Sequence, residues 1–237
     1  MIWDTVFPPS LYCLCCGKYT DKSRAYSLCD HCIRHMNFEM TDLTLEEDKY
    51  SKADKGLIGG AAAAMGYGLY EKQIIFALKY SGHTYIARHM ADILYDCLKK
   101  RLEETRVCPW LKADVIVPVP LSRSRMKERG FNQAEKIGYH LGKRTGIKTC
   151  GDGLIRVKDT VPQRALSGEE RKLNVEHAFM LNPKRTAELK GKRILLIDDI
   201  CTTGATALGC AKALADGDVT RTDFIALSSA KNNNHLL

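Results

Sequence analysis

Short apolar runs that end in turn residues recur along the chain and predict buried strands. The clearest is 194–197 (Ile-Leu-Leu-Ile), four aliphatic residues of the kind that fills the centre of a parallel sheet. Further strands are predicted at 114–120, which ends in two closely spaced prolines, and at 222–227. A Gly/Ala-rich strand pair is predicted from Leu57 onward.

Helical periodicity occupies the stretches between these strands. The longest amphipathic helix is predicted at 85–102, with an inner face formed by Ile86, Met90, Ile93, Leu94, Cys97 and Leu98. Shorter helices are predicted at 71–78, 134–144 and 207–214. Strands that alternate with helices predict an α/β fold with a mainly parallel sheet flanked by helices.

The composition is that of a globular protein. Its 237 residues are 45% hydrophobic and 27% charged, which allows one α/β domain and a small appendage. No stretch is long and apolar enough to cross a bilayer, and the N-terminus lacks the regions of a secretion signal. We therefore expect a cytoplasmic protein without membrane insertion, whose ten cysteines are reduced or metal-bound.

Shifts in composition divide the chain into four segments. A cysteine-rich module is predicted at 1–37, an acidic linker at 38–56, the α/β domain at 57–230 and a frayed tail at 231–237. Within the α/β domain, the segment 160–179 is polar and lacks a clean period. Such a segment is typical of a mobile active-site cover.

Two carboxylates and a turn of small and hydroxyl-bearing residues follow the 194–197 run. In order, they are Asp198, Asp199, Thr202, Thr203, Gly204, Ala205 and Thr206. A strand, a tight turn and a helix start gather free backbone N–H groups at the positive end of a helix dipole, which suits a phosphate. The acids lie at the carboxyl end of the strand and can accept hydrogen bonds from sugar hydroxyls. The alternative is two solvated acids beside an ordinary helix cap.

A second candidate anion site is a tetrapeptide that breaks the helix predicted at 71–78. It consists of Lys79, Tyr80, Ser81 and Gly82. The glycine marks a turn, and the lysine places a cation beside exposed amides, which suits a pyrophosphate. Alone, this tetrapeptide is a weak indication of binding.

Much of the formal net charge of +8 arises from one segment. Between Arg123 and Lys148, eight basic residues face only Glu128 and Glu135. Such a surface suits a polyanionic small molecule or single-stranded nucleic acid, and a solvated helix face is the alternative. The candidate contacts, including one in the polar segment 160–179, are Arg123, Arg125, Arg129 and Arg164.

Two Cys-x-x-Cys pairs, a dozen residues apart, predict a structural zinc site near the N-terminus. Its ligands are Cys13, Cys16, Cys29 and Cys32. Each pair can bind one side of a tetrahedral ion, and four thiolates complete the coordination shell. Cys15 leaves the register of the first pair open, and we prefer Cys16 because its spacing matches the second pair. His31 and His35 are candidate substitute ligands, with surface residues as the alternative for each, and four free cysteines are the alternative to the zinc site as a whole.

The segment 198–206 resembles the signature of the type I phosphoribosyltransferases, which bind 5-phosphoribosyl-1-pyrophosphate (PRPP) with Mg²⁺. The resemblance implies that Asp198 and Asp199 bind the ribose and that residues 202–206 bind the 5′-phosphate. It also implies that residues 79–82 bind the pyrophosphate, and that Lys79 acts with the two acids in catalysis. Relatives that use 6-oxopurines carry an Asp at the position of Thr202, so a hypoxanthine or guanine acceptor is disfavoured.

An ordered set of motifs makes the resemblance more specific. The cysteine pairs, 78–82 (Leu-Lys-Tyr-Ser-Gly), 117–120 (Val-Pro-Val-Pro), 129–133 (Arg-Gly-Phe-Asn-Gln) and the Asp-Asp turn are together similar to the ComF (competence protein F) family. The resemblance implies a zinc-binding module before a type I phosphoribosyltransferase-like domain, and a role in DNA uptake or utilisation.

The ComF resemblance also implies ligands and partners. The ligand would be Mg²⁺-PRPP or another molecule containing ribose 5-phosphate, and the partners single-stranded DNA and a competence helicase. Two functions stay open. One is transfer of phosphoribose to an unidentified acceptor, and the other is non-catalytic binding of single-stranded DNA by a competence factor that uses the PRPP pocket as a sensor.

Overall fold

A computed structural model describes residues 11–21, 24–45, 56–80, 84–157 and 178–230, and these form an α/β fold. Its strands are β1 (Thr41–Asp42), β2 (Ala61–Met65), β3 (Val115–Pro118), β4 (Lys148–Thr149), β5 (Leu154–Arg156), β6 (Phe179–Leu181), β7 (Arg193–Cys201) and β8 (Arg221–Ser229). Six of them form one sheet in the order β1-β2-β8-β7-β3-β4, which is parallel except for the edge strand β1. Strands β5 and β6 form a separate antiparallel pair.

Helices cover both faces of the six-stranded sheet. They are α1 (Asp30–Arg34), α2 (Leu69–Tyr80), α3 (Ile86–Thr105), α4 (Arg123–Arg129), α5 (Gln133–Thr145), α6 (Thr186–Leu189) and α7 (Ala205–Ala215). Helices α2, α3 and α5 contribute to the core on one face, and α7 to the core on the other. The predicted mainly parallel sheet flanked by helices is therefore confirmed. No helix in the described ranges combines the length and apolar composition that crossing a bilayer requires.

Strand β7 lies inside the sheet and is buried on both faces. Ile194 and Leu196 point into one core and Leu195 and Ile197 into the other, and all four are fully buried. The sequence pattern predicts that this strand ends where the two acids begin, but β7 continues to Cys201. The reason is its partner, because parallel pairing with β8 persists along the whole length of β7.

The structure departs from the predicted elements at three further places. A single strand, β2, forms where a Gly/Ala-rich pair was expected, and its neighbours are β1 and β8. Strand β1 lies inside the predicted linker 38–56, so part of that segment is an edge of the sheet. Helix α2 continues through Tyr80, whereas the sequence placed the helix end before Lys79.

The longest helix agrees closely with its prediction. The six residues expected on its inner face are all buried in α3. The predicted cover 160–179 falls largely outside the described residues, as do the predicted tail and residues 1–10.

The cysteine-rich module packs against α2 and α3. The Tyr26 hydroxyl donates to Asp96 Oδ2 at 2.7 Å, and Ser27 Oγ lies 3.3 Å from His89 Nε2. Leu28 of the module is buried in the same core as these helices. The module is thus attached to the α/β core by apolar and polar contacts.

Candidate functional site

The acid pair on β7 is held by a lysine from α2. Lys79 Nζ lies 2.7 Å from Asp199 Oδ2, and both side chains are about seven-eighths buried (15% and 13% exposed). The N–H of Asp199 donates to Asp198 Oδ1 at 2.8 Å, which fixes the first carboxylate against the strand. The structure therefore brings together three residues that the sequence assigned to ribose and pyrophosphate, and Lys79 neutralises Asp199 directly.

The two carboxylates have different electrostatic environments. Burial and the charge of Asp199 raise the pKa of Asp198 to about 7, while the charges of Lys79 and Arg125 act in the opposite direction. Two neighbouring carboxylates with one close lysine cannot both ionise at low cost. A ligand that brings positive charge or hydroxyl donors to Asp198 therefore favours its ionised form.

The turn after β7 is shaped to leave backbone amides open. Gly204 has φ +88°, and a Cβ atom there would lie 2.6 Å from Leu45 Cδ2, so a side chain is excluded by conformation and by space. Because Gly204 is the N-cap of α7 and has no side chain, it cannot cap the first amides of the helix. Thr203 Oγ1 accepts from the Ala205 N–H at 3.3 Å. Thr202 is exposed and Thr206 half-buried, so hydroxyls surround an accessible helix N-terminus.

A group of contacting side chains connects the end of α2 with the end of α4 and the start of α5. The Arg129 guanidinium lies 5.4 Å from the centre of the Tyr80 ring, and its Nη1 donates to Gln133 Oε1 at 3.1 Å. The Nε of Arg129 and the amide nitrogen of Gln133 are buried without a hydrogen-bond partner among the described residues. Phe76 packs on Tyr80 with ring centres 4.6 Å apart.

The remaining basic candidates are placed differently. Arg123 and Arg125 are exposed on α4, and Arg125 is close enough to Asp198 to affect its pKa. Ser81, Gly82 and Arg164 lie outside the described residues.

The sequence pattern did not single out Phe76 or Gln133 as site residues. Phe76 and Tyr80 are four residues apart and 64% and 50% exposed, so they lie side by side on the outer face of α2. The sequence placed the helix end before Tyr80, so this pairing depends on the continuation of α2 through Tyr80. Gln133 carried no signal in the sequence, because its role depends on the position of Arg129.

Four cysteines of the N-terminal module converge. The Sγ atoms of Cys13, Cys16, Cys29 and Cys32 all lie within 4.8 Å of one another. The Sγ atoms of Cys16 and Cys29 are 3.8 Å apart. Two thiolates bound tetrahedrally to one Zn²⁺ with bonds of ~2.3 Å have the same separation, about 3.8 Å. Burial and hydrogen bonds to the other cysteines raise the pKa of the Cys32 thiol, so a cation is needed before all four ionise. The donor set and its spacing therefore fit a zinc ion.

The other candidate metal ligands lie outside this converging set and contact α2. Cys15 Sγ lies 3.0 Å from Gln73 Oε1 on α2. His31 Nε2 lies 3.1 Å from the Tyr70 hydroxyl, and the His35 ring stacks on Tyr70 at 5.3 Å. These side chains join the module to α2. Of the two adjacent thiols, it is Cys16 that belongs to the converging set.

The chain is similar in sequence to curated competence and DNA utilization proteins. The chain is 32% identical to competence protein F of Haemophilus influenzae over 143 residues, covering 60% of each chain. The resemblance to the ComF family is confirmed. Two further relatives are the DNA utilization protein YhgH of Escherichia coli K12 (30%, 60% of this chain and 59% of the relative) and competence protein ComFC of Streptococcus pneumoniae R6 (30%, 61% and 56%).

The extent of these similarities is limited. The chain spans about 60% of the length of the curated relatives it matches, and no protein-family model matches it. Among solved structures, it is similar to an allosteric regulatory enzyme of purine biosynthesis (23% identity, 62% of this chain, 26% of that chain, TM-score 0.35). It is also similar to glutamine PRPP amidotransferase from B. subtilis (18%, 68%, 28%, TM-score 0.37). Likeness at these values carries no functional conclusion.

Proposed function

We propose that this chain is a cytoplasmic ComF-type protein that acts in DNA uptake or utilisation and binds Mg²⁺-complexed PRPP in its α/β domain. The observation that carries the proposal is the acid pair on β7, which contacts Lys79 and adjoins a helix start whose N-cap residue, Gly204, has no capping side chain. Carboxylates suit the ribose hydroxyls, and the turn 202–206 suits the 5′-phosphate. In the cysteine module, Cys13, Cys16, Cys29 and Cys32 hold a structural Zn²⁺.

The ion pair between Lys79 and Asp199 gives this site a distinctive binding step. PRPP carries a diphosphate that attracts Lys79 and a ribose whose hydroxyls attract Asp199. Binding therefore replaces one internal ion pair with two contacts to the ligand, so that neither buried charge is left without a partner. Mg²⁺ bound with PRPP would supply further positive charge to the leaving pyrophosphate. Transfer of phosphoribose to an acceptor is part of the proposal, and the acceptor is unassigned.

Calorimetry with Mg²⁺-PRPP tests this proposal. We expect binding that requires Mg²⁺ and falls at least about tenfold in the Asp198→Asn, Asp199→Asn protein, because neutral amides accept hydrogen bonds more weakly. The matched control is Asp216→Asn, Asp218→Asn, which removes two exposed acids beyond α7 and should leave affinity unchanged. Absence of PRPP binding to the unmodified protein would refute the proposal. Pyrophosphate release with a panel of nucleobases and amines then tests catalysis.

A second candidate function, binding of single-stranded DNA, is favoured by the surface beside this site. Phe76 and Tyr80 form an exposed aromatic pair, and Arg129 lies over the Tyr80 ring. The exposed basic residues Arg123 and Arg125 follow on α4. Aromatic rings that stack with bases beside cations that contact phosphates are the usual elements of a single-strand binding surface.

Two sets of variants separate the contributions to DNA binding. Phe76→Ala, Tyr80→Ala should weaken binding of an oligothymidylate by about tenfold or more without changing its salt dependence, because stacking is not ionic. Arg125→Ala, Arg129→Ala should reduce the slope of log affinity against log salt by about 0.7 for each phosphate that the protein no longer neutralises. Leu69→Ala removes another exposed apolar side chain of α2 and is the control. Equal losses in all three proteins would contradict a stacking surface.

A further inference from the structure

A cavity of about 520 Å³ lies between the cysteine module, α3 and α5. One hydrogen bond and one ion pair connect its three walls. The Tyr26 hydroxyl donates to Asp96 Oδ2 at 2.7 Å, and Arg144 Nε lies 3.1 Å from Asp92 Oδ1. None of the residues that line it belongs to the acid pair, to the turn 202–206 or to the end of α2.

The same cavity contains positive charge that these walls do not neutralise. No carboxylate of the described residues lies within 4.0 Å of the charged groups of Arg88 or Lys143, and Lys143 instead lies 4.5 Å from the centre of the Tyr139 ring. His140 lines the cavity with them. Burial and the charges of Lys143 and Arg88 lower the pKa of His140, whereas Asp92 acts the other way. The neutral imidazole offers a hydrogen bond without adding a third charge.

We propose that this cavity binds a small phosphate monoester whose other end carries hydroxyl or amino groups, as a nucleoside monophosphate does. Arg88 and Lys143 match the dianionic phosphate, and His140 can donate to it. Asp92 and Asp96 keep acceptor capacity beyond their bonds to Arg144 and Tyr26, because a carboxylate has about four lone-pair sites. The volume lies in the range of small-molecule sites.

The charge pattern distinguishes this ligand class from a bare anion. A sulfate or inorganic phosphate would use the two cations and leave both carboxylates facing it, which is unfavourable. A molecule with hydroxyl or amino donors at the opposite end turns the same carboxylates into favourable contacts. The site therefore recognises two ends of one molecule.

AMP is the probe, and the imidazole NMR signal of His140, assigned with His140→Gln, is the local readout. The titration uses the Asp198→Asn, Asp199→Asn protein, so that the proposed ribose site contributes less to binding. We expect AMP to raise the pKa of His140, because the phosphate offsets the charges of Arg88 and Lys143. Calorimetry should show affinity at least about tenfold lower in the Arg88→Gln, Lys143→Gln protein.

The control removes two exposed lysines elsewhere, Lys99→Gln and Lys112→Gln, and should bind AMP as the parent does. Equal affinity of the Arg88→Gln, Lys143→Gln protein and its parent would overturn the proposal. So would a His140 signal that AMP leaves unchanged. Binding of inorganic phosphate as tight as that of AMP would overturn the role of the carboxylates, and with it the assigned ligand class.

Discussion

We expect the folded protein to lose stability as pH rises through the range in which Asp198 ionises, and replacing Asp198 by Asn should remove that loss. Burial and the neighbouring Asp199 raise the pKa of Asp198 from 3.8 to about 7. A carboxyl with a higher pKa in the folded than in the unfolded chain stabilises the fold when protonated. This contribution is complete below about pH 4 and is lost as pH rises through about 7. About three pKa units correspond to at most about 4 kcal/mol, and partial exposure reduces our expectation to about 2 kcal/mol.

Urea unfolding of both proteins at pH 5 to 8.5, in zinc-containing buffer, measures the effect. The amide can keep the bond from the Asp199 N–H, and both proteins keep the cysteine cluster, so its own pH dependence cancels. We expect the free energy of unfolding of Asp198→Asn, relative to the parent, to rise by about 1.3 kcal/mol across this range, because about a third of the effect lies below pH 5.

A second pair of proteins tests the cause of the effect. The charge of Lys79 lowers the pKa of Asp198, so in a Lys79→Gln background the difference between Asp and Asn at position 198 should widen. A difference that stays constant with pH, or that falls as pH rises, would refute the reasoning.

Three further changes test other parts of the structure. Elemental analysis should find about one zinc per chain, which Cys29→Ser loses and Cys15→Ser keeps, because only Cys29 belongs to the cluster. Gly204→Ala should lower the unfolding free energy by about 1–3 kcal/mol and weaken PRPP binding, because φ is +88° and the new Cβ meets Leu45; calorimetry and urea titration report both. Trp110→Phe should cost about 1–3 kcal/mol in urea titrations, because the buried indole N–H donates to a carbonyl of β8.

Local patterns were sufficient to predict the centre of the fold. The run 194–197 and the small-residue turn behind it predicted β7, the turn and α7, since strand, turn and helix signals are contiguous there. The inner face of α3 could be predicted because a 20-residue helix gives a clear period. The two-residue strand β1 could not, because its two residues show no alternation and its position is set by pairing with β2.

The contacts that define the candidate site lie beyond what local patterns contain. Lys79 and Asp199 were both predicted as ligand-binding residues, but their ion pair joins positions 120 residues apart and depends on how α2 packs beside β7. The same holds for Arg129 over Tyr80. Cys15 was ambiguous in the sequence because two adjacent thiols have nearly the same spacing, and only the path of the backbone turns it towards Gln73.

Helix α2 contacts both the cysteine module and the acid pair. Tyr70 and Gln73 near its start contact the cysteine module, and Lys79 near its end contacts Asp199, about 14 Å further along one rigid rod. A ligand that draws Lys79 away from Asp199 therefore acts on a side chain of the same helix that contacts the cysteine module. If α2 couples the two places, reciprocity requires that a metal held by the cysteines and a ligand at the acid pair change each other's affinity for the protein by the same factor.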